Sequence, residues 1–182
     1  MNSVTIIVPV KDEEVGLQYL LENLLASKIS IDFDIDFIFV IDDRTSDDSH
    51  RIASEFSDHI IDQEETYGKG NAMKRAITHL DLKKTNFVIF LDADGSYSFN
   101  GVRGVINSLE GGAEVVSGSR FLNRSGRPNG MGMVHTFGNR LLSMISSIRN
   151  RRKISDLCTG LWGFKADSLI KMDLQSNGFD LE

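Results

Sequence analysis

Three short apolar runs, each stopping abruptly at polar or acidic residues, limit the folds open to this chain more than any other feature. They are Val4-Thr5-Ile6-Ile7-Val8, Phe37-Ile38-Phe39-Val40-Ile41 and Phe87-Val88-Ile89-Phe90-Leu91. Their unbroken hydrophobicity and wealth of β-branched and aromatic residues mark strands buried on both faces. Pro9 ends the first run, since it cannot donate to a central ladder. Asp42-Asp43 follow the second and Asp92-Ala93-Asp94 the third. Between the first two runs, Leu17, Leu20, Leu21, Leu24 and Leu25 recur at helical spacing behind Asp12, the predicted N-cap, with Glu13 and Glu14 in the first turn. Further helices are predicted over about 46–56, 70–80, 102–109 and 134–149. Short strands are expected near 59–61, at 115–116 and around Trp162 and Phe164.

This alternation builds βαβ units, and hence an α/β fold whose mostly parallel sheet is covered on both faces. No composition break divides the 182 residues, so one domain over 1–182 is expected. The longest apolar runs fall far short of the roughly 20 residues of a membrane helix. The chain opens without a basic leader or apolar signal segment, and its single Cys158 cannot form an internal disulfide, which suits a reducing cytoplasm. In the last long helix Val134, Phe137, Leu141, Leu142, Met144, Ile145 and Ile148 form an apolar face that is expected to pack on the sheet.

Charge is informative by its placement. Arg120, Arg124, Arg127, Arg140, Arg149, Arg151, Arg152 and Lys153 occur in a stretch with no Asp or Glu, leaving 12 cations against 26 anions elsewhere. The overall −6 argues against nucleic acid as a partner. The basic stretch as a whole points to an anionic ligand or to peripheral contact with an anionic membrane, though for residues 149–153 taken alone a solvated helix end is the favoured reading.

In an open parallel sheet, ligands bind beyond the carboxyl ends of the strands, and all three acidic groups fall on that edge. Asp92 and Asp94, two residues apart after a strand, can share one ligand; their oxygens suit Mg²⁺ or Mn²⁺, although an Asp-Gly turn would use the same residues. Asp42-Asp43 can accept hydrogen bonds from a nucleobase or ribose. Gly68-Lys69-Gly70-Asn71 reads as a helix-start turn whose lysine can meet phosphate. It has neither P-loop nor dinucleotide-loop spacing.

Taken in order, Val8-Pro9-Val10-Lys11-Asp12-Glu13-Glu14, Ile41-Asp42-Asp43-Arg44-Thr45-Ser46-Asp47, Gly68-Lys69-Gly70-Asn71-Ala72, Leu91-Asp92-Ala93-Asp94, Gly118-Ser119-Arg120-Phe121, Gly138-Asn139 and Asp156-Leu157-Cys158-Thr159-Gly160 resemble the motifs of family 2 glycosyltransferases. They are most similar to those of the polyprenyl-phosphate branch, the dolichyl-phosphate mannose or glucose synthase-like enzymes. The resemblance implies a GT-A fold, a three-layer α/β/α sandwich, and inverting transfer from a UDP- or GDP-linked sugar to a lipid phosphate.

By the same resemblance Pro9, Lys11, Glu13, Ile41, Asp43, Lys69, Asp92 and Ala93 contact the nucleotide sugar. Asp94 and Ser96 lie at the metal. Arg120 and Asp156 are catalytic, and Arg120 and Arg140 meet the acceptor phosphate. Lys11 replaces a customary aromatic, and Arg44-Thr45 replace a small residue and Ser. Relatives continue beyond Gly178-Phe179-Asp180-Leu181-Glu182, which implies a catalytic domain shortened at its C-terminus.

A hydroxyl acceptor would need a base such as Asp156. A non-catalytic nucleotide-binding or regulatory α/β module would place its acidic pair after the first strand, and a nucleotidyltransferase would place a Gly-rich basic loop there. Here the acidic pair follows the second strand, and residues 9–14 are not a Gly-rich loop.

Overall fold

A computed structural model describes residues 2–64, 67–81, 83–122, 131–172 and 174. Arg124 and Arg127 of the basic stretch, and the C-terminal Leu181-Glu182, lie outside them. Six strands form one sheet: β1 (Ser3–Val10), β2 (Asp34–Asp42), β3 (Ile60–Gln63), β4 (Phe87–Leu91), β5 (Val115–Ser117) and β6 (Leu161–Lys165). Their order is β3-β2-β1-β4-β6-β5. The first four are parallel, and β6 runs antiparallel to both β4 and β5. The helices are α1 (Glu14–Ser27), α2 (Ser49–Phe56), α3 (Lys69–Thr78), α4 (Phe99–Glu110), α5 (Met133–Asn150) and α6 (Ala166–Leu169).

Period-two alternation divides the interior. Val4, Ile6, Val8 and Val10 of β1 join Leu17, Leu20, Leu21 and Leu24 of α1, Ala53 of α2 and Val102, Val105 and Ile106 of α4 on one face. Ile7 faces the other way, with Ile38, Val88, Phe90, Met73 and Ala76 of α3 and Leu169 of α6. The expected three-layer α/β/α sandwich is therefore present. β1 and β4 run parallel, but the strand order reverses between them, with β2 and β3 laid down to one side and β4 to the other, which opens a crevice at their carboxyl ends.

Several local expectations shift. β1 runs through Pro9 to Val10, because its ladder with β4 ends at Ile7↔Phe90 and Pro9 is paired in register only with β2. Leu25 is 69 % exposed, turned off the face that buries its four companions. Asp12 does not cap α1; at φ 48° its carboxylate instead accepts the Ser46 amide at 2.8 Å. Two amides at the start of α1 are satisfied from Ser49 and the segment just before α2: Glu14 N–H donates to Asp47 Oδ2 at 2.9 Å and Glu13 N–H to Ser49 Oγ at 3.0 Å. Asp47 Oδ1 accepts the Ser49 amide at 3.0 Å, so one carboxylate serves both helix starts.

The largest departure is α5, whose apolar face points away from the sheet. Thr136, Asn139 and Ser143 are buried, while Val134 is 83 %, Phe137 72 % and Ile148 72 % exposed, and Leu141, Leu142, Met144 and Ile145 are exposed with them. The inward seam is held by hydrogen bonds. Asn139 Oδ1 accepts the Cys158 amide, Ser143 Oγ the Leu157 amide at 2.9 Å, and Ser147 Oγ the Ile154 amide at 2.9 Å. Because α5 lies on the polar 154–158 loop, its polar stripe is the complementary face and the apolar stripe is left outward.

Candidate active site

The loop after β4 is shaped by close backbone approaches. A Cβ on Gly16 of α1 would lie 2.6 Å from the Ala93 carbonyl oxygen, so glycine lets the helix rest directly on the loop. Asp92 faces Gly160 and forms an ion pair with Lys69, Nζ to Oδ1 at 2.6 Å. Burial raises the Asp92 pKa, against the pull of the Lys69 charge. Lys69 thus opens α3, as expected of a helix-start turn, and also brings its charge to the acidic loop.

Asp94 points elsewhere. Its Oδ1 accepts the Ser96 amide at 2.9 Å and its carboxylate lines a cavity of about 680 Å³. Ser96 lines the same cavity, and its buried hydroxyl has no hydrogen-bond partner among the described residues. Glu13 lies near this loop: partial burial, then Asp94 and Asp92, push its pKa up. No cluster of three or more metal-ligating side chains occurs among the described residues. Asp94 with the orphaned Ser96 hydroxyl nonetheless fits Mg²⁺ or Mn²⁺ held through one carboxylate and completed by substrate phosphates and water.

Across the cavity Arg120 is fixed by Asp156, through Nε to Oδ2 at 2.8 Å and Nη2 to Oδ1 at 2.9 Å, and its Nη2 also donates to the Cys158 carbonyl. Asn139 donates to Asp156 Oδ1 at 2.5 Å. Burial works to raise the Asp156 pKa, but the hydrogen bonds from Arg120 and Asn139 prevail and hold it below the usual carboxylate range. For Arg120 burial likewise opposes the charge, and the Asp156 hydrogen bonds outweigh it. The Asp156 side chain is fully buried, its oxygens taken up by Arg120 and Asn139. It positions Arg120.

Tyr97 ties these loops together. Arg120 sits 5.4 Å over its ring, its hydroxyl is 3.1 Å from Thr159 Oγ1, and the Gly160 amide donates to it. Asn139, Tyr97 and Gly160 thus shape the site without having been assigned roles from sequence. Gly138-Asn139 and Gly160 stood inside quoted motifs, whereas Tyr97 carried no signal beyond its place after the acidic loop.

At the other end of the crevice Asp43 and Lys11 are exposed and Pro9 is half-buried. Ile41 and Ala93 are buried, leaving mainly their backbone to a ligand. Asp42 is buried and bound by Arg44, Nε to Oδ1 at 2.8 Å and Nη2 to Oδ2 at 2.5 Å, which leaves Asp43 as the available member of the pair. Arg140 does not reach the cavity. Its guanidinium is exposed and lies 5.4 Å over the Phe121 ring.

The chain matches the model of glycosyl transferase family 2 over residues 5–172. It is 28 % identical over 145 residues to glycosyltransferase AglJ of Haloferax volcanii, covering 80 % of this chain and 46 % of that protein. To a 4,4'-diaponeurosporenoate glycosyltransferase of Staphylococcus aureus it is 28 % identical over 101 residues, covering 53 % of this chain and 25 % of that protein. It therefore spans less than half the length of either relative. Its fold resembles glucosyl-3-phosphoglycerate synthase of Mycobacterium tuberculosis, solved with Mn²⁺, UDP-glucose and glycerol 3-phosphate, at a TM-score of 0.72 and 14 % identity, covering 99 % of this chain and 62 % of that one. The order of the acidic strand ends, the reversal of the sheet beside them and a family match along nearly the whole chain agree: the chain belongs to glycosyl transferase family 2.

Proposed function

We propose that this chain transfers a hexosyl group, with inversion, from a UDP- or GDP-linked sugar to the phosphate of a polyprenyl-type lipid, using Mg²⁺ or Mn²⁺, at the cytoplasmic face of an anionic membrane. One observation carries the acceptor. The cavity holding Asp94, Ser96 and Arg120 has Met131, Val134 and Leu142 as its apolar wall, and Val134 and Leu142 also belong to the outward face of α5. An anionic head on an apolar tail matches both halves of that surface.

Leaving-group departure builds negative charge on the diphosphate. Arg120, locked by Asp156 and Asn139, offers charge-assisted hydrogen bonds without reorganising. Lys69 carries a second cation into the acidic loop. The divalent ion would be held by Asp94 with Ser96 beside it, and when bound it supplies Lewis-acid stabilisation of the phosphates. Asp43 and Pro9 face the nucleoside, Glu13 lies between nucleoside and diphosphate, and Lys11 lies at the rim.

A phosphate acceptor is already anionic and needs no strong base. This suits a site in which Asp156, the carboxylate a hydroxyl acceptor would require, is closed off with a lowered pKa. The exposed Arg149, Arg151, Arg152 and Lys153 follow the exposed apolar stripe of α5 and have no acidic partner among the described residues, which suits peripheral contact with anionic headgroups. No helix among the described residues is long and apolar enough to cross a membrane.

The test is sugar transfer from radiolabelled UDP-glucose and GDP-mannose, with Mg²⁺ or Mn²⁺, to polyprenyl phosphate or to a soluble sugar hydroxyl. Label in the lipid extract is expected. Preferential transfer to the soluble hydroxyl overturns the lipid-phosphate assignment.

A further inference from the structure

Arg44 is held in one place by two neighbours. Its Nε and Nη2 are committed to the buried Asp42 carboxylate at 2.8 and 2.5 Å, and its amide donates to the same group at 3.0 Å. One face of the guanidinium lies 3.5 Å over the Tyr67 ring. Tyr67 in turn donates its hydroxyl to Asp43 Oδ2 at 3.4 Å, leaving Oδ1 without a partner among the described residues. The Arg44 side chain is still 49 % exposed, and Nη1, the edge away from Asp42, makes no hydrogen bond among the described residues. Asp43 is close enough to help hold the Arg44 charge. A rigid donor edge thus lies beside an exposed acceptor at the carboxyl end of β2.

An adjacent fixed donor and fixed acceptor are complementary to a ring edge with a carbonyl next to an N–H. Uracil and guanine have such a lactam edge. Cytosine and adenine invert it, placing an amino donor beside an unprotonated ring nitrogen. Either of these bases would set its amino group against the guanidinium and its ring nitrogen against the carboxylate, two repulsive contacts.

We propose that Arg44, with Asp43, reads the lactam edge of the donor's nucleobase, so that the chain accepts uridine and guanosine diphosphate sugars and rejects those of cytidine and adenosine. This rests on the nucleotide-sugar assignment above and adds to it a residue and a selection rule. Tyr67 and Asp42 are positioning residues, since they fix the plane in which Arg44 donates.

The experiment is calorimetric titration of the full chain with UDP, GDP, CDP and ADP, each with Mg²⁺. UDP and GDP are expected to bind on the order of 10-fold or more tightly than CDP and ADP. In the unaltered protein 3-methyl-UDP, which lacks the N–H, and 4-thio-UDP, which has a weaker acceptor, should each lose much of the UDP advantage. Arg44→Lys keeps a cation for Asp42 but loses the planar fork, and should bring the four diphosphates to within about threefold of one another. Equal affinity for all four in the unaltered protein overturns the selection rule while leaving the transferase assignment standing. A uniform loss for all four in Arg44→Lys would show that the arginine only braces the loop, which also overturns it. Failure of every diphosphate to bind removes the assignment beneath it as well.

Discussion

Gly160 stands so close to Asp92 that a Cβ on it would lie 1.7 Å from Oδ2. The start of β6 and the acidic loop after β4 are therefore one packed unit, and the backbone at 160 sets where the Asp92 carboxylate can lie. Gly160→Ala should displace Asp92 and cost about 1–3 kcal/mol of stability. Donor-diphosphate affinity should fall on the order of 10-fold or more, about 1.4 kcal/mol of binding free energy, because the displaced carboxylate disturbs the acidic loop and its Lys69 ion pair. Thermal melts and calorimetry together check this; unchanged affinity would show that Asp92 tolerates displacement.

The carboxylate left free to the cavity gives a different outcome. Asp94→Asn should abolish the metal-dependent part of nucleoside-diphosphate binding while leaving the metal-free affinity close to that of the unaltered chain, because Asp94 makes no direct ion pair among the described residues and its carboxylate lines the cavity. Titrations with and without chelator measure both parts. Equal chelator sensitivity in the two proteins would place the ion elsewhere.

For Asp43→Ala the loss should be the same for a free nucleoside as for its diphosphate, since the partner of Asp43 is the base or ribose. Arg120→Ala should spare the nucleoside. Comparing the two ligands in the two variants checks both placements, and an Asp43→Ala effect confined to the diphosphate would refute that of the β2 loop.

Asp156 links the site to acid stability. Its folded pKa is depressed below the ordinary carboxylate range by the Arg120 and Asn139 hydrogen bonds, so its stabilisation is fully present above the unfolded pKa and is lost as pH falls through the folded value. Asp156→Asn should cost roughly 3 kcal/mol near neutrality, because it leaves Arg120 buried without its counter-charge. The stability gap should close below about pH 4 as the native carboxyl protonates. Melting curves from pH 7 to pH 2 check the sign; a gap that widens on acidification is incompatible with the ion pair.

The outward face of α5 can be changed without touching the core. Phe137→Ser with Ile148→Ser should alter stability by less than about 0.5 kcal/mol per site, as for exposed positions generally, yet reduce binding to anionic vesicles. Neutralising Arg149, Arg151, Arg152 and Lys153 should do the same and weaken the salt dependence, exposed charges being screened over about 8 Å at physiological ionic strength. Co-sedimentation with anionic and neutral vesicles reads this out. A large drop in melting temperature in the serine variant would mean that the face is packed.

Where local pattern and tertiary partner agreed, the chain was readable. The three buried strands and the acidic residues at their ends followed from runs such as Phe37 to Ile41, whose burial leaves few alternatives. The α5 face was misread because periodicity reports that a helix has two faces, not which one meets the protein. Only the hydrogen-bonding loop at Ile154, Leu157 and Cys158 decides that Asn139 and Ser143 turn inward. Asp12 failed as a cap because Asp47, 33 residues from Glu14, took that place. Asp156 was found from its motif, but its role depends on Arg120 and Asn139, which meet it only in three dimensions.

The shared use of Asp47 by α1 and α2 has an electrostatic outcome for the donor. A bare helix start is a ready receptor for phosphate, and many nucleotide-binding folds rely on one directly after their first strand. Here the Glu13 and Glu14 amides are already taken by Ser49 and Asp47, and the positive end of the α1 dipole is offset by a resident carboxylate. With that route weakened, a diphosphate draws more of its counter-charge from side chains and bound cations. Donor affinity should consequently follow ionic strength and divalent-ion supply more closely than in proteins that cradle phosphate with backbone amides, and the segment after β1 is released from any need to be glycine-rich.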